Sequence, residues 1–144
     1  DPRQSTVRLE AGATAFTDVL GAPSIVTAVG EIVYAANGAS PYERHVYRVS
    51  ADGGKPQRIT DMPGQHSAYP SPDGRSLAFL HSDDRTPPEL YVTDMDGGAP
   101  RRVTTSPPPG FAEYEWARAR YVSFPSRIDD YSLHARILEP LNLE

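Results

Sequence analysis

The sequence predicts an all-β protein made of two four-stranded antiparallel blades of a β-propeller, followed by a short β-hairpin. Three observations support this fold class. A fifteen-residue unit recurs once along the 144-residue chain, short apolar runs alternate with turn residues, and no helical periodicity is sustained. The 15 prolines and 11 glycines are spread between the apolar runs, which is typical of a protein with many turns.

The repeat aligns residues 46–60 with residues 90–104, at an offset of 44 positions. Seven of the fifteen pairs are identical, and most of the others keep their apolar or polar character. Both units contain Asp-Gly-Gly, and Asp-Gly favours a tight hairpin because glycine adopts a positive φ at little cost. Each unit is therefore predicted to form a strand, a turn and a second strand.

Two further strands precede each repeated hairpin. In the first unit the strands are expected at about residues 14–20, 31–36, 45–50 and 56–60. In the second unit they are expected at about residues 66–71, 76–82, 89–95 and 100–104. The second strand of each unit is apolar nearly throughout, which suits strands buried on both faces. Four strands in 40–50 residues match the size of a propeller blade.

The last part of the chain does not continue the repeat. Residues 111–117 are expected to begin another strand, and alternation at 121–124 and 133–138 predicts a separate hairpin. The chain is therefore divided into a partial propeller at 1–110 and a second region at 111–144.

Composition excludes several classes of function. Fourteen Lys and Arg against 19 Asp and Glu give a net charge of −5, and such a surface repels phosphates, so no nucleic-acid partner is expected. No apolar run of about 18 residues occurs, so no membrane association is expected. The absence of cysteine removes thiolate catalysis and disulfides but leaves the compartment open between cytoplasm and periplasm.

No catalytic or metal-binding motif is visible. The Gly-x-Ser-x-Gly pattern of a serine nucleophile is absent, and His66 and Ser67 are neighbours that would point to opposite faces of a strand. The four histidines are scattered along the chain, and His66 is interpreted as a hydrogen-bonded packing residue. Residues 94–98 are interpreted as a hairpin turn because they lack the spacing of a calcium loop. No catalytic residue, cofactor or metal is expected.

Three residues are candidates for a role between domains or in ordering a loop: Glu43, Arg44 and Trp116. Glu43 and Arg44 are interpreted first as part of a solvated loop between strands. An ion pair between them that orders the loop near an interdomain surface is the alternative. Trp116 is favoured as a core packing residue, and a docking seam is the alternative. Residues 83–85 are interpreted as a solvated loop.

Residues 40–49, Ser-Pro-Tyr-Glu-Arg-His-Val-Tyr-Arg-Val, resemble the penultimate-blade signature of the dipeptidyl peptidase IV branch of the prolyl oligopeptidase family. The ordered elements at 66–68, 71–75, 89–92 and 96–98 are similar to TolB-like and peptidase propeller blades. Residues 122–127 and 133–140 resemble the first hairpin of the α/β-hydrolase domain that follows the propeller in this family. Residues 129–131, Asp-Asp-Tyr, stand where that hairpin usually turns on Asp-Gly.

The resemblance implies that the chain is the end of a propeller joined to the start of the hydrolase domain, with the family's Ser, Asp and His triad on neither part. The implied partners are the remainder of the propeller, the hydrolase domain and the peptide substrate of the parent protein. A TolB-like module that binds a protein without enzymatic activity is the alternative. Because two blades cannot close a ring, the fragment is also expected to self-associate.

Overall fold

The structure is a computed structural model that describes residues 15–17, 23–26, 30–38, 40–129 and 131–141. These residues form eleven β-strands and one short three-ten helix, and none of them lies in an α-helix. The strands make a five-stranded, a four-stranded and a two-stranded sheet, all with antiparallel neighbours. The predicted all-β fold class is confirmed. Over the same ranges no helix has the length and apolar character needed to cross a membrane.

The first sheet has one strand more than predicted. Its strands follow chain order: β1 (Ala15–Thr17), β2 (Pro23–Val26), β3 (Glu31–Ala36), β4 (His45–Ser50) and β5 (Gln57–Arg58). No strand is predicted at β2 from the sequence. In the structure Pro23 is the first residue of the strand, where a missing N–H is tolerated. The other positions of the strand expected at 14–20 lie outside the described residues.

The second sheet has the predicted four strands, again in chain order: β6 (Gln65–Pro70), β7 (Ser76–Ser82), β8 (Glu89–Asp94) and β9 (Arg101–Arg102). The turn between β8 and β9 forms where the sequence predicts it, with the N–H of Gly97 donating to the oxygen of Asp94 at 3.0 Å. The outermost strands β5 and β9 pair over only two residues each, which is shorter than expected.

The hydrophobic core lies between the first and second sheets. It is built from Val33, Val46, Ile59, Leu77, Phe79 and Met95, all of them buried. The expectation that β3 and β7 are buried on both faces is wrong for this chain, because side chains alternate along a strand and only one face meets the other sheet. The opposite faces, which carry Tyr34 on β3 and Leu80 on β7, are half-buried.

The third sheet is the predicted hairpin. Strand β10 (Ala119–Pro125) pairs with β11 (Ser132–Leu138) at seven consecutive positions, and the N–H of Ser126 donates to the oxygen of Tyr131 at 2.7 Å. The strand expected at 111–117 is wrong, since Phe111–Glu113 form the three-ten helix. The left-handed φ of 84° at Gly110 starts that turn and prevents an extended chain there.

Candidate functional site

The β10–β11 hairpin is held against the blade loops by a cluster that we call the hairpin junction: Tyr42, Asp84, Tyr121, His134 and Arg136. The hydroxyl of Tyr42, in the loop between β3 and β4, donates to the backbone oxygen of Val122 at 2.8 Å. Nδ1 of His134 lies 3.2 Å from the same hydroxyl, and the rings of Tyr42 and Tyr121 pack with centroids 4.4 Å apart.

Asp84 supplies the negative charge of the hairpin junction. One of its carboxylate oxygens lies 2.6 Å from Nη2 of Arg136, and the other accepts the hydroxyl of Tyr121 at 2.8 Å. Tyr121 and Arg136 are directly opposed in the β10–β11 ladder, so both side chains leave the same face of the hairpin. Burial, together with the hydrogen bond to Asp84 and its charge, raises the pKa of Tyr121 and keeps the hydroxyl a donor.

The interpretation of residues 83–85 as a solvated loop is wrong for Asp84. Its neighbour Asp83 orders the loop from within, because Oδ1 of Asp83 accepts the backbone N–H groups of Arg85 at 2.8 Å and Thr86 at 2.7 Å. A groove of about 620 Å³ lies between the blade loops and the hairpin. No local pattern in the sequence pairs Asp84 with the distant Arg136, so the hairpin junction could be found only from the structure.

Glu43 and Arg44 lie just before β4, but the structure does not bring their side chains together. The carboxylate of Glu43 is 2.9 Å from Nε2 of His45, and the guanidinium of Arg44 donates to the backbone oxygen of Ala35 at 3.4 Å. The alternative of an ion pair between Glu43 and Arg44 is therefore wrong. The backbone N–H of Arg44 donates to the oxygen of Gly64 at 3.0 Å, which links the two sheets. A role for either residue in ordering this loop stays a prediction.

Trp116 lies on the surface, so the favoured interpretation of core packing is wrong. Its ring stacks on that of Phe111 with centroids 4.7 Å apart, and its Nε1–H donates to the Phe111 oxygen at 3.1 Å. The side chains of Trp116 and Tyr114 are 44% and 70% exposed because the three-ten helix beside them buries none of its residues. A docking seam at this aromatic group stays a prediction.

Three of the four histidines are not scattered in space. His45, His66 and His81 come from β4, β6 and β7 and form a buried row between the two sheets. His66 is confirmed as a hydrogen-bonded packing residue, since its Nδ1 lies 2.7 Å from the oxygen of Arg44. Within the part of the chain that the structure describes, no group of three or more His, Cys, Asp or Glu side chains is arranged to hold a metal ion.

A buried carboxylate at the start of β8 was not foreseen from the sequence. Glu89 is fully buried, and it accepts hydrogen bonds from the Arg102 guanidinium at 2.8 Å, the backbone N–H of Ser106 at 2.6 Å and the hydroxyl of Thr104. Burial alone would raise the pKa of Glu89. The three donors and the charge of Arg102 outweigh that effect and lower the pKa to about 2. Glu89 is therefore an ionised structural anchor for the chain that leaves the second blade.

Comparison with known proteins identifies the family. Residues 11–88 match the family described as the dipeptidyl peptidase IV (DPP IV) N-terminal region. The chain belongs to this family. The match covers the described strands from β1 to β7 and ends just before Glu89, so the second repeated hairpin and the β10–β11 hairpin lie beyond it.

The fold of this DPP IV N-terminal region chain is similar to that of a solved structure, the crystal structure of Porphyromonas gingivalis dipeptidyl peptidase 4. The TM-score is 0.69 at 20% sequence identity, and the similarity covers 93% of the chain. The chain spans 19% of the length of that protein. At this identity the comparison shows a shared fold, and it extends that fold past the end of the family match. The chain is therefore a peptidase-related propeller segment.

Proposed function

We propose that the chain is a non-catalytic segment of a serine peptidase of the prolyl oligopeptidase family. In this proposal residues 1–110 supply the last two blades of the propeller, and residues 111–144 supply the linker and the first hairpin of the hydrolase domain. The parent protein hydrolyses short peptides, and its propeller restricts access to the active site. The partners of the segment are the remaining blades and the hydrolase domain.

The observation that carries the proposal is the two-sided character of the β10–β11 hairpin. One face carries Tyr121 and Arg136, which contact the blade loops through the hairpin junction. The opposite face carries Phe124 and Leu133, which are direct cross-strand partners and are 48% and 43% exposed. A hairpin bound to a propeller on one face and apolar on the other is suited to join that propeller to a second domain.

The faces of the two blades support the same proposal. The half-buried faces of β3 and β7, on either side of the core between the sheets, are the surfaces that neighbouring blades would cover. Their apolar side chains, including Tyr34 and Leu80, support the proposal that the chain works inside a larger ring.

The proposal is tested on the full-length parent and on the 144-residue chain in parallel. A fluorophosphonate probe, which labels activated serine nucleophiles, is expected to label the parent and to leave the isolated chain unlabelled. The parent is also expected to release p-nitroaniline from dipeptidyl p-nitroanilide substrates. A full-length protein that neither reacts with the probe nor cleaves these substrates would contradict the proposal and favour the TolB-like binding module.

A second experiment tests the joining role of the hairpin. In the full-length protein, Phe124→Asp is expected to lower the yield of folded peptidase and its activity by about tenfold or more, because it places a charge in a buried contact between domains. Ile128→Asp is the matched control, since Ile128 lies at the tip of the same hairpin and is 96% exposed. Equal effects of the two substitutions would argue against a domain contact at Phe124.

A further inference from the structure

Three imidazole rings form a continuous row across the boundary between the two sheets. The ring centroids of His45 and His66 lie 5.2 Å apart, and those of His66 and His81 lie 4.9 Å apart. The three residues are between 2% and 7% exposed. His66 and His81 are direct cross-strand partners in the second sheet, whereas His45 belongs to the first sheet. The row, which we call the histidine row, therefore lies at the contact between the blades.

Hydrogen bonds to carbonyl oxygens determine which ring nitrogens carry a proton. Nδ1 of His66 lies 2.7 Å from the oxygen of Arg44, and Nε2 of His81 lies 3.0 Å from the oxygen of Pro63. A carbonyl oxygen can only accept, so both of these nitrogens are N–H donors. In the neutral rings the other nitrogens, Nε2 of His66 and Nδ1 of His81, carry lone pairs. Both are buried and have no hydrogen-bond partner among the described residues.

Both nitrogens of the third ring, that of His45, have a polar partner. Nε2 of His45 lies 2.9 Å from the carboxylate of Glu43, and Nδ1 lies 3.4 Å from the hydroxyl of Thr60. Among the described residues, the titratable groups that act on His66 include the imidazoles of His45 and His81 and the carboxylate of Glu43, and the carboxylate of Asp83 interacts with His81 at the end of the row. A proton added to His66 gains one partial counter-charge and meets two rings that compete for the same charge.

We propose that the histidine row is an acid-sensitive joint between the two blades, which holds them together while its rings are neutral and weakens their contact when a proton enters it. A proton on Nε2 of His66 creates a buried N–H without an acceptor. The same ring accepts a proton freely once the blades separate and water reaches it. Acid therefore favours the separated or unfolded state over the closed one.

The lowered pKa of His66 is consistent with an acid-sensitive contact between the blades. The pKa of His66 is lowered from 6.5 to about 4, mainly by burial and in part by the nearby imidazoles of His81 and His45. The hydrogen bond to the Arg44 oxygen and the charge of Glu43 oppose this change only in part. Between these two pKa values the unfolded chain binds a proton that the folded chain does not. The contribution of neutral His66 to the free energy of unfolding is therefore fully present above pH 6.5, and it is lost as the pH falls toward 4.

The experiment compares urea unfolding of the 144-residue chain at pH 7.5 and pH 4.5. His66→Asn keeps an N–H donor near the position of Nδ1 and removes the titratable ring. The ratio of folded to unfolded wild-type chain is expected to fall about 70-fold more than that of His66→Asn between the two pH values. His134→Asn is the control, because it removes the one histidine outside the row and is expected to keep the acid loss of the wild type.

Equal acid losses in the wild type and His66→Asn overturn the proposal, and so does a His134→Asn control that removes the loss to the same extent. If His66→Asn fails to fold, NMR titration of the wild-type histidine rings decides. The expected spectrum shows His66 neutral with its proton on Nδ1 down to about pH 4, and the Arg44 amide, which bonds across the sheets to Gly64, loses exchange protection before amides within one sheet. A His66 ring that titrates near 6.5 overturns the proposal.

Discussion

Thr60 and Thr104 occupy equivalent positions in the two blades and make the same unusual contact. The hydroxyl of Thr60 accepts the backbone N–H of Val46 at 2.9 Å, and that of Thr104 accepts the backbone N–H of Leu90 at 2.8 Å. At the end of the β4–β5 ladder and of the β8–β9 ladder, a side-chain hydroxyl thus accepts the N–H that a backbone carbonyl oxygen would accept in a longer ladder. Each hydroxyl also contacts the first residue of the adjacent inner strand, which is His45 of β4 in the first blade and Glu89 of β8 in the second.

Replacing either threonine by valine is expected to destabilise the chain by about 1–3 kcal/mol, because the shape is kept while a buried N–H loses its acceptor. Thr60→Val leaves the Val46 N–H unpaired, and Thr104→Val does the same to Leu90. Urea unfolding of the two variants measures the effect. Thr105→Val is the control on the exposed neighbouring position and is expected to change stability by less than about 0.5 kcal/mol. Losses as small as that of the control would contradict this role.

Glu89→Gln is expected to lower the stability of the chain at pH 7, since the amide keeps the size of the side chain but loses the charge that pairs with Arg102. The folded-state pKa of Glu89 is about 2, below the ordinary 4.5, so its contribution is present above pH 4.5 and is lost as the pH falls toward 2. The difference between wild type and variant should therefore shrink over that interval when unfolding is followed by circular dichroism. A difference that stays constant from pH 7 to pH 2.5 would show that the charge is irrelevant. Most of this pH interval lies below the interval of His66, so the contributions of the two residues can be measured separately.

The Asp84 and Arg136 pair is expected to couple the hairpin to the blades by about 0.5–1 kcal/mol in a double-mutant cycle with alanine. The coupling is weak because the two side chains are 25% and 47% exposed, so water screens their charges. The chain's single tryptophan, Trp116, lies between the blades and the hairpin in sequence and gives a fluorescence signal for the cycle. Arg120 and Glu139 provide the control pair, since they are 60% and 55% exposed and lie within the hairpin. Their coupling is expected to be near zero, and equal coupling in both cycles would contradict a specific junction.

Self-association of the isolated chain is expected to increase with concentration, because the outward blade faces are only half-buried and the apolar hairpin face is exposed. Multi-angle light scattering over a range of concentrations measures it. Phe124→Asp should reduce the associated fraction severalfold if the hairpin face takes part, since a charge on that face opposes apolar burial. A wild-type chain that remains a monomer at high concentration would count against the prediction.

The repeat made much of the fold predictable from sequence. Strands β3, β4 and β7 lie where their apolar patterns place them, because local alternation and turn residues determine strand position. The extra strand β2 was missed because proline carries two meanings, a turn signal and a tolerated first residue of a strand. The three-ten helix at Phe111 was missed because Gly110 and the prolines before it determine the chain path there, whatever the apolar pattern suggests.

The site was less predictable, for a physical reason. The histidine row depends on the register that opposes His66 to His81 and on the bridge between Arg44 and Gln65 that brings in the first sheet. The contact of Asp84 with Arg136 depends on where the hairpin docks. Such contacts join residues far apart in the chain, and a single sequence contains no local pattern that encodes them.

The shortness of β5 and β9 has a consequence for how the chain resists misassembly. A long flat edge strand would offer a row of free N–H and C=O groups on which other chains could stack into a cross-β fibril. Here β5 and β9 are each two residues long, carry arginine at Arg58 or at Arg101 and Arg102, and begin directly after a proline. The outer strand of each blade is thus a poor template for amyloid growth, although the apolar faces of the blades can still associate with other chains.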